Sequence, residues 1–500
     1  RLGNLPDGTP VWNHANFPRG TVREPSADKI YEIANPFPFR GTTFINSAWA
    51  DPKAGNPEKL RISRPDACSF FGSLENQGQV LTDEEKIRLL AALPHPLKIA
   101  LAQASTDPGE LSALARLACV LLFDFGESHP WGMGFRQGKN GTPVPDVRDP
   151  DLFEVLVNNP HLPDPYKEAM VLRPGIQGNS EIIGEYTKNA THVFEYLRRN
   201  SYIPWGHFAS NMAHDRIRYR ARDLSGEDIQ GLRHLYYQRV YIRVARQLKL
   251  PVPAYDGQVS GSDLETLRRR IIQALDSGRG QELDFNGALW GWNFGFGFAQ
   301  SGHRLHASHQ MIHQQNALVP RQVYDSTRHP LPAFACGDLV ADFIRAYATA
   351  HDKPFFDAYI QAIRSNRRTD GSARGEDSLI IHEDDHVILF VPKAQVSEWE
   401  LQVMTRKPVP HILAADTSVR TALDGGIFLA VRILEELGAD MITSFELSGR
   451  FDDPYSGQHL IYSFIPRLPY APPTFSEAQL RWISGAYPED VAQACRQALN

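Results

Sequence analysis

Five hundred residues, 42% of them apolar and 22% charged, make an ordinary globular composition spread over more than one hydrophobic core. A formal charge of −6 and a pI near 6.3 exclude the basic excess of a nucleic-acid binder, and no long unbroken apolar run offers a membrane span. Cys68, Cys119, Cys336 and Cys495 stand far apart without a Cys-x-x-Cys pair, a usage that fits a reducing cytoplasm rather than a disulfide framework.

The first 60 or so residues, rich in Pro, Gly and Asn as in NPFPFRGTTF, read as an extended arm or meandering strands. LTDEEKIRLLAAL (81–93) predicts a helix starting at Thr82, with acidic residues in its first turn. GELSALARLACVLLFDF (109–125) predicts a second, buried helix, and the Pro- and Gly-rich stretch 126–185 reads as mostly irregular. THVFEYL (191–197) and HFASNMAHDRIRYRARD (207–223) have the character of strands. A long helix over 225–250 follows, N-capped by Ser225 with Glu227 and Asp228 where the helix dipole favours negative charge. An insert predicts its own helix (262–278), whose LRRRII stretch reads as a solvated face. Next come LDFNGALWGWNFGFGFAQSG (283–302), with Trp290 and Trp292 read as core aromatics, and GHRLHASHQMIHQQ (302–315). That last segment holds His303, His306, His309 and His313, four of the chain's 18 histidines.

The same order of elements returns in residues 378–475. SLIIHEDDHVILFVPKA is a strand region, WELQVMTRKPV a second strand, and TSVRTALDGGIFLAVRILEELG a helix capped at Thr417 or Ser418 and ending at Gly438. ADMITSFELSG and GQHLIYSFIPRL are two further strands, the last carrying His459. Strand, strand, helix, strand, loop, strand therefore occurs twice, which predicts an α+β protein built on a duplicated unit.

The histidine segment admits more than one chemistry. On a helix, His303, His306 and His313 partly converge; on a strand, His303, His309 and His313 share one face and His306 takes the other. His303, His309 and His313, the three on one strand face, would be the metal ligands, although the helical zinc pattern of two histidines four apart with a glutamate between is absent. GFRQGKNG (134–141) lacks the spacing of a phosphate-binding loop, whereas GFGFAQSG (295–302) is a glycine-rich turn whose backbone amides can cradle a phosphate.

NFGFGFAQSGHRLHAS (293–308) resembles the active-site segment of the histidine triad (HIT) superfamily, in its galactose-1-phosphate uridylyltransferase and diadenosine-tetraphosphate phosphorylase branch. Laid on without gaps, Asn293, Gly295, Gly297 and Ser301 match the turn, and His306 matches the nucleophile. The second unit is similar to the family's second half, with Pro392, Glu400 and Pro408 in place and His459, Ile461 and Ser463 on a decayed triad strand. Arg304 stands where the family has its first histidine and Ser308 where it has glutamine; a two-residue insertion would instead put Ser308 in the nucleophile's place, with Gln310 after it. The zinc-binding members begin with a Cys-x-x-Cys pair, of which DACSFFGS keeps Cys68 and has Phe71 in the second place.

The resemblance implies two HIT-like antiparallel-sheet repeats in one pseudo-dimeric unit: an N-terminal region (1–185), a first repeat with the active-site motif (186–325), a second, degenerate repeat (326–475) and a C-terminal helix (476–500). It implies a nucleotidyltransferase or phosphorylase working at a nucleotide α-phosphate through a covalent nucleotidyl-histidine. His306, Ser308 and Gln310 would be catalytic, and Asn293, Gly295, Gly297, Ser301, Arg304, Gln314 and Lys393 would bind substrate. The partners would be a nucleotide or nucleotide-sugar and a phosphorylated acceptor, with no nucleic acid and no membrane, in a monomer or homodimer. No cofactor is demanded. Zinc or another divalent ion belongs to a second reading, a metal-dependent hydrolase on His303, His309 and His313 with Glu127 or Glu446. A third reading is a HIT-like nucleotide binder that has lost catalysis.

Overall fold

The computed structural model describes residues 2–12, 30–62, 67–79, 81–138, 141, 143–157, 159, 161–170, 174–176, 199–201, 221–254, 259–295, 313–453, 457–468 and 474–499. The strand-like segments expected over 191–197 and 207–223 lie almost wholly outside them.

In the N-terminal part, strands β1 (Ile30–Ala34) and β2 (Thr42–Asn46) pair antiparallel. Helix α1 (Asp83–Ala92) starts at Thr82 as expected, because Thr82 and Glu85 close a capping box. Helices α2 (His95–Ala104) and α3 (Pro108–Ala118) follow. The helix expected over 109–125 stops at Ala118. Beyond it Val120 bonds to Asp146 and Gly134, and Leu121–Phe123 is a strand, so partners distant in sequence draw the chain out of helix. The stretch read as irregular contains α4 (Pro150–Val157) and α5 (Asp164–Met170). Pro150 and Pro165 sit in the first turns of these helices, where a missing N–H costs no bond.

Helix α6 (Gly226–Gln247) is N-capped by Ser225, whose side chain and that of Asp228 close a second capping box. Helix α7 (Gly261–Asp276) leads into strands β3 (Phe285–Gly295) and β4 (His313–Pro320). Two helices that periodicity did not single out follow, α8 (Cys336–His351) and α9 (Phe355–Arg364). The strand region 378–394 is a hairpin, β5 (Ile380–Glu383) and β6 (Val387–Phe390), because the Asp384 carboxylate accepts from His386 N and Val387 N and folds the chain back. Strand β7 (Leu401–Thr405) precedes α10 (Thr417–Glu436), whose cap is Asp416 rather than Thr417 or Ser418: its carboxylate accepts from Val419 N at 2.9 Å. Strands β8 (Met441–Leu447) and β9 (Ile461–Pro466) complete this part. In place of one C-terminal helix, a short helix (Thr474–Gln479) leads to β10 (Arg481–Ser484), parallel to β2, and to α11 (Pro488–Ala498).

The mixed helices and sheets make the α+β class. The largest sheet has seven strands in the order β4-β3-β8-β9-β7-β6-β5, every neighbouring pair antiparallel. One face carries α6 and α10, packed on Trp290, Trp292 and Phe294 of β3, Ile442 of β8, Tyr462 and Phe464 of β9 and Val403 of β7. On the opposite face, α8, α9 and Phe37 seal β6, β7 and β9 with Phe355, Phe356 and Ile360 over Ile388, Phe390, Met404 and Ile461. No helix among the described residues is long and apolar enough to cross a membrane.

Candidate functional site

The composition of β3 sets what its two faces can do. Alternation along GALWGWNF sends Ala288, Trp290, Trp292 and Phe294 under α6, where Trp290 and Trp292 are 3% and 2% exposed. Both indoles are therefore core, as the sequence suggested, and neither is placed to stack a nucleobase. The other face carries Gly287, Leu289, Gly291 and Asn293, so it is nearly bare backbone beside one carboxamide. Asn293 lies opposite His313 of β4 and opposite Thr443 of β8. The Thr443 hydroxyl donates to Asn293 Oδ1 at 2.9 Å, and both residues are half-buried. Phe445 is half-buried two residues along β8. Phe445 also packs against the aromatic cluster that covers β6, β7 and β9, whereas Leu289 of β3 is exposed.

Gly297, Ser301, His303, Arg304, His306, Ser308, His309 and Gln310 belong to 296–312, outside the described residues. That segment joins the end of β3 to the start of β4, so its two ends belong to neighbouring antiparallel strands. The backbones of Gly295, His313 and Gln314 are in those strands, with Gln314 opposite Trp292 and Gly295 opposite Met441. Lys393 is placed elsewhere, with its ammonium bonded to Asn366 Oδ1, Arg367 O and the fully buried Glu489. Three partners use its three donors, so contact with a substrate would require breaking one of them.

On the sealed face His459 is 2% exposed, stacked on Phe356 at 4.4 Å and bonded through Nδ1 to Thr405 O. Burial pushes its pKa down, so it is a neutral core histidine. Ser463 donates to Glu400, which also receives Arg40 at 2.7 Å and Gln402 at 3.0 Å. The LRRRII stretch is only partly solvated: Arg268 is 9% exposed, held by Leu413 O and Glu265, which leaves Arg269 and Arg270 outside. Among the described residues no group of three or more His, Cys, Asp and Glu is arranged to hold a metal ion. Glu127 is exposed, and Glu446 is buried on the helix face, bonded to the hydroxyls of Tyr236 and Tyr462.

That helix face holds a polar cluster that sequence reading missed. Arg233 of α6 is fully buried; its Nε donates to Asp424 of α10 at 3.1 Å and its Nη2 to the hydroxyls of Tyr237 at 3.0 Å and Tyr462 at 2.7 Å. The guanidinium also lies over the rings of Trp290 at 4.7 Å and Tyr462 at 4.8 Å. Tyr237 is one helical turn away, but Asp424 and Tyr462 are 191 and 229 residues away in the chain, so no local spacing could announce them. Burial raises the pKa of Asp424 to about 6 against the pull of Arg233, and burial raises Glu446 as well. Between the unfolded carboxyl range near pH 4 and about pH 6 the folded state binds the extra proton, so this contribution to stability fades as pH rises through that window. Asp424→Asn should remove it. Urea unfolding should show wild type losing stability relative to the variant between those pH values, on the order of 2 kcal/mol, with a constant difference above; parallel curves throughout would show that Asp424 is not held protonated.

No family model and no curated protein matches the chain. Among solved structures, it is similar to a GalT-like protein from Arabidopsis thaliana at 17% identity, covering 47% of this chain and 68% of that one, with a TM-score of 0.33. An ADP-glucose phosphorylase from Arabidopsis thaliana with bound ADP-glucose aligns at 18% identity, 47% and 64% coverage and a TM-score of 0.33. A uridylyltransferase aligns at 13% identity, 47% and 68% coverage and a TM-score of 0.34. These solved structures are a GalT-like protein, an ADP-glucose phosphorylase and a uridylyltransferase, each covering just under half of this chain and about two thirds of its own.

Proposed function

We propose that the chain is a nucleotidyltransferase or phosphorylase acting at the α-phosphate of a nucleotide or nucleotide-sugar, with His306 as nucleophile. The observation that carries this reading is the meeting of two helix–strand–strand units at the centre of the sheet. Helix α6 leads to β3 and β4, α10 leads to β8 and β9, and the units pair antiparallel through β3 and β8 while α6 packs on α10. We take these as the cores of a first repeat within 186–325 and a second within 326–475, with the chemistry kept in the first. The second lacks an open face because α8, α9 and Phe37 cover it.

In the proposed reaction an imidazole nitrogen of His306 attacks the α-phosphorus. The bond to the bridging oxygen breaks, and the rest of the substrate leaves as pyrophosphate from a nucleoside triphosphate or as a sugar phosphate from a nucleotide-sugar. An oxygen of a phosphorylated acceptor or of inorganic phosphate then attacks the same phosphorus, breaks the phosphorus–nitrogen bond and frees the histidine. Donors from the glycine turn, Arg304 and the Asn293 amide would meet the charge on the phosphate oxygens. Gly291 carries no side chain on this face, and the Arg450 side chain lies over Gly287.

Intact-protein mass spectrometry after incubation with a panel of nucleoside triphosphates and nucleotide-sugars tests the proposal. The expected result is a gain of one nucleoside monophosphate, mapped to the peptide containing 302–315 and discharged by phosphate. No adduct with any member of the panel, together with tightly held metal, would favour metal-dependent hydrolysis instead.

A further inference from the structure

We propose that the outer face of the small β10-β2-β1 sheet binds a second copy of this chain, face to face about a two-fold axis. The three strands have β2 in the centre, with β1 antiparallel to it and β10 parallel. Alternation sends Tyr31, Ile33 and Ile45 inward, onto Ala50 and Tyr487. The other parity faces outward and includes Ile30 and Glu32 on β1, Phe44 on β2, and Arg481 and Ile483 on β10. A sheet with one solvated face normally turns apolar residues in and polar residues out. Here Ile30 is 46% and Ile483 58% exposed, on either side of a half-buried Phe44, and Trp49, just after β2, is 56% exposed. Scattered apolar side chains on a surface mean little, whereas adjoining ones on one face mark a contact surface. The polar residues on this face say what it contacts. Arg481 lies over the Phe44 ring at 5.4 Å and reaches Glu32 only at 3.7 Å, with both side chains more than half exposed. One cation and one anion thus stand on opposite sides of the central strand, so the face is complementary to itself. A two-fold axis along β2 sets β10 of each copy over β1 of the other. Phe44 then meets Phe44, and each Arg481 comes one cross-strand diagonal from Glu32 of the second copy, within reach of a long side chain. A partner of a single charge sign would leave one of the two unmatched.

Three short strands make a small interface, under about 1,200 Å², so the dimer should be weak, dissociating at about 1–100 µM. Sedimentation velocity of the full chain across that range should show monomer passing to dimer. Ile483→Glu, at an exposed position, should keep the circular dichroism of wild type and move the midpoint at least about tenfold higher in concentration. Arg481→Glu and Glu32→Arg should each weaken association about tenfold, because like charges then face each other in both halves of the interface. An equimolar mixture of these two variants should associate again: the heterodimer pairs opposite charges in both places, while the contact within each chain stays like-charged. That rescue separates a contact between copies from one within a chain. A wild type monomeric throughout, an Ile483→Glu variant that dimerises as wild type does, or a mixture no more associated than its components would overturn the proposal. Protection of residues 13–29 from proteolysis that Ile483→Glu removes would give the face to that segment of the same chain instead.

Discussion

On the proposed mechanism, alanine at position 306 is expected to abolish the nucleotidyl adduct and to lower turnover by at least about a thousandfold. The step that forms the intermediate then has no nucleophile, and only binding and charge stabilisation remain. Ser308→Ala is the comparison that fixes the register of the segment. If His306 attacks, the serine variant loses no more than about tenfold, the range of one hydrogen bond. If Ser308 occupied the nucleophile's place, the order of the two losses would be reversed. Rapid-quench labelling of both variants, with circular dichroism to check the fold, decides the matter. An adduct at wild-type rate in His306→Ala would refute the assignment outright.

Replacing Arg233 with alanine should give the largest loss of stability, about 3–5 kcal/mol, because it leaves the Asp424 carboxylate buried without the guanidinium that pairs with it and takes a positive charge away from the buried Glu446 nearby. The guanidinium ties α6 to α10 through Asp424 and to β9 through Tyr462, so its loss loosens the contact between the two helix–strand–strand units. Lysine is not expected to replace it, since a point charge cannot reach the carboxylate and the two phenol oxygens from one rigid fork. Urea unfolding followed by tryptophan fluorescence suits the measurement, Trp290 being 4.7 Å from the guanidinium. Asp424→Asn added to Arg233→Ala should recover part of the loss. A loss below about 1 kcal/mol would mean that both carboxyls are already neutral and that the cation is dispensable.

Some of this architecture was legible in the order of residues, and the parts share a cause. Thr82 and Ser225 each stand three positions before the acid that completes a capping box, so the signal and the structure lie within one turn. The bulky–small alternation of β3 fixes which side chains are buried without reference to any partner. The early end of α3, the Asp384 turn within 378–394 and the helices α8 and α9 were not legible in the same way. The end of α3 and the two helices are tied to bonds or packing with distant segments, such as Val120 with Asp146 or Phe355 with Phe37, whereas the Asp384 turn is local, made by bonds to the next two or three residues, and broke what read as one apolar strand region.

The same division runs through the site. By itself the sequence determined the types of residue available: a glycine-rich turn, histidines beside it and a single carboxamide on the bare face of β3. Only tertiary structure decided that Asn293 meets Thr443, 150 residues on, and that Lys393 is spent on Glu489. Tertiary structure likewise decided that Arg233 pairs with Asp424 of the second half. Local chemistry follows from neighbours in the chain, whereas hydrogen bonds across β3 and β8 exist only once two strands far apart in sequence have been brought into register.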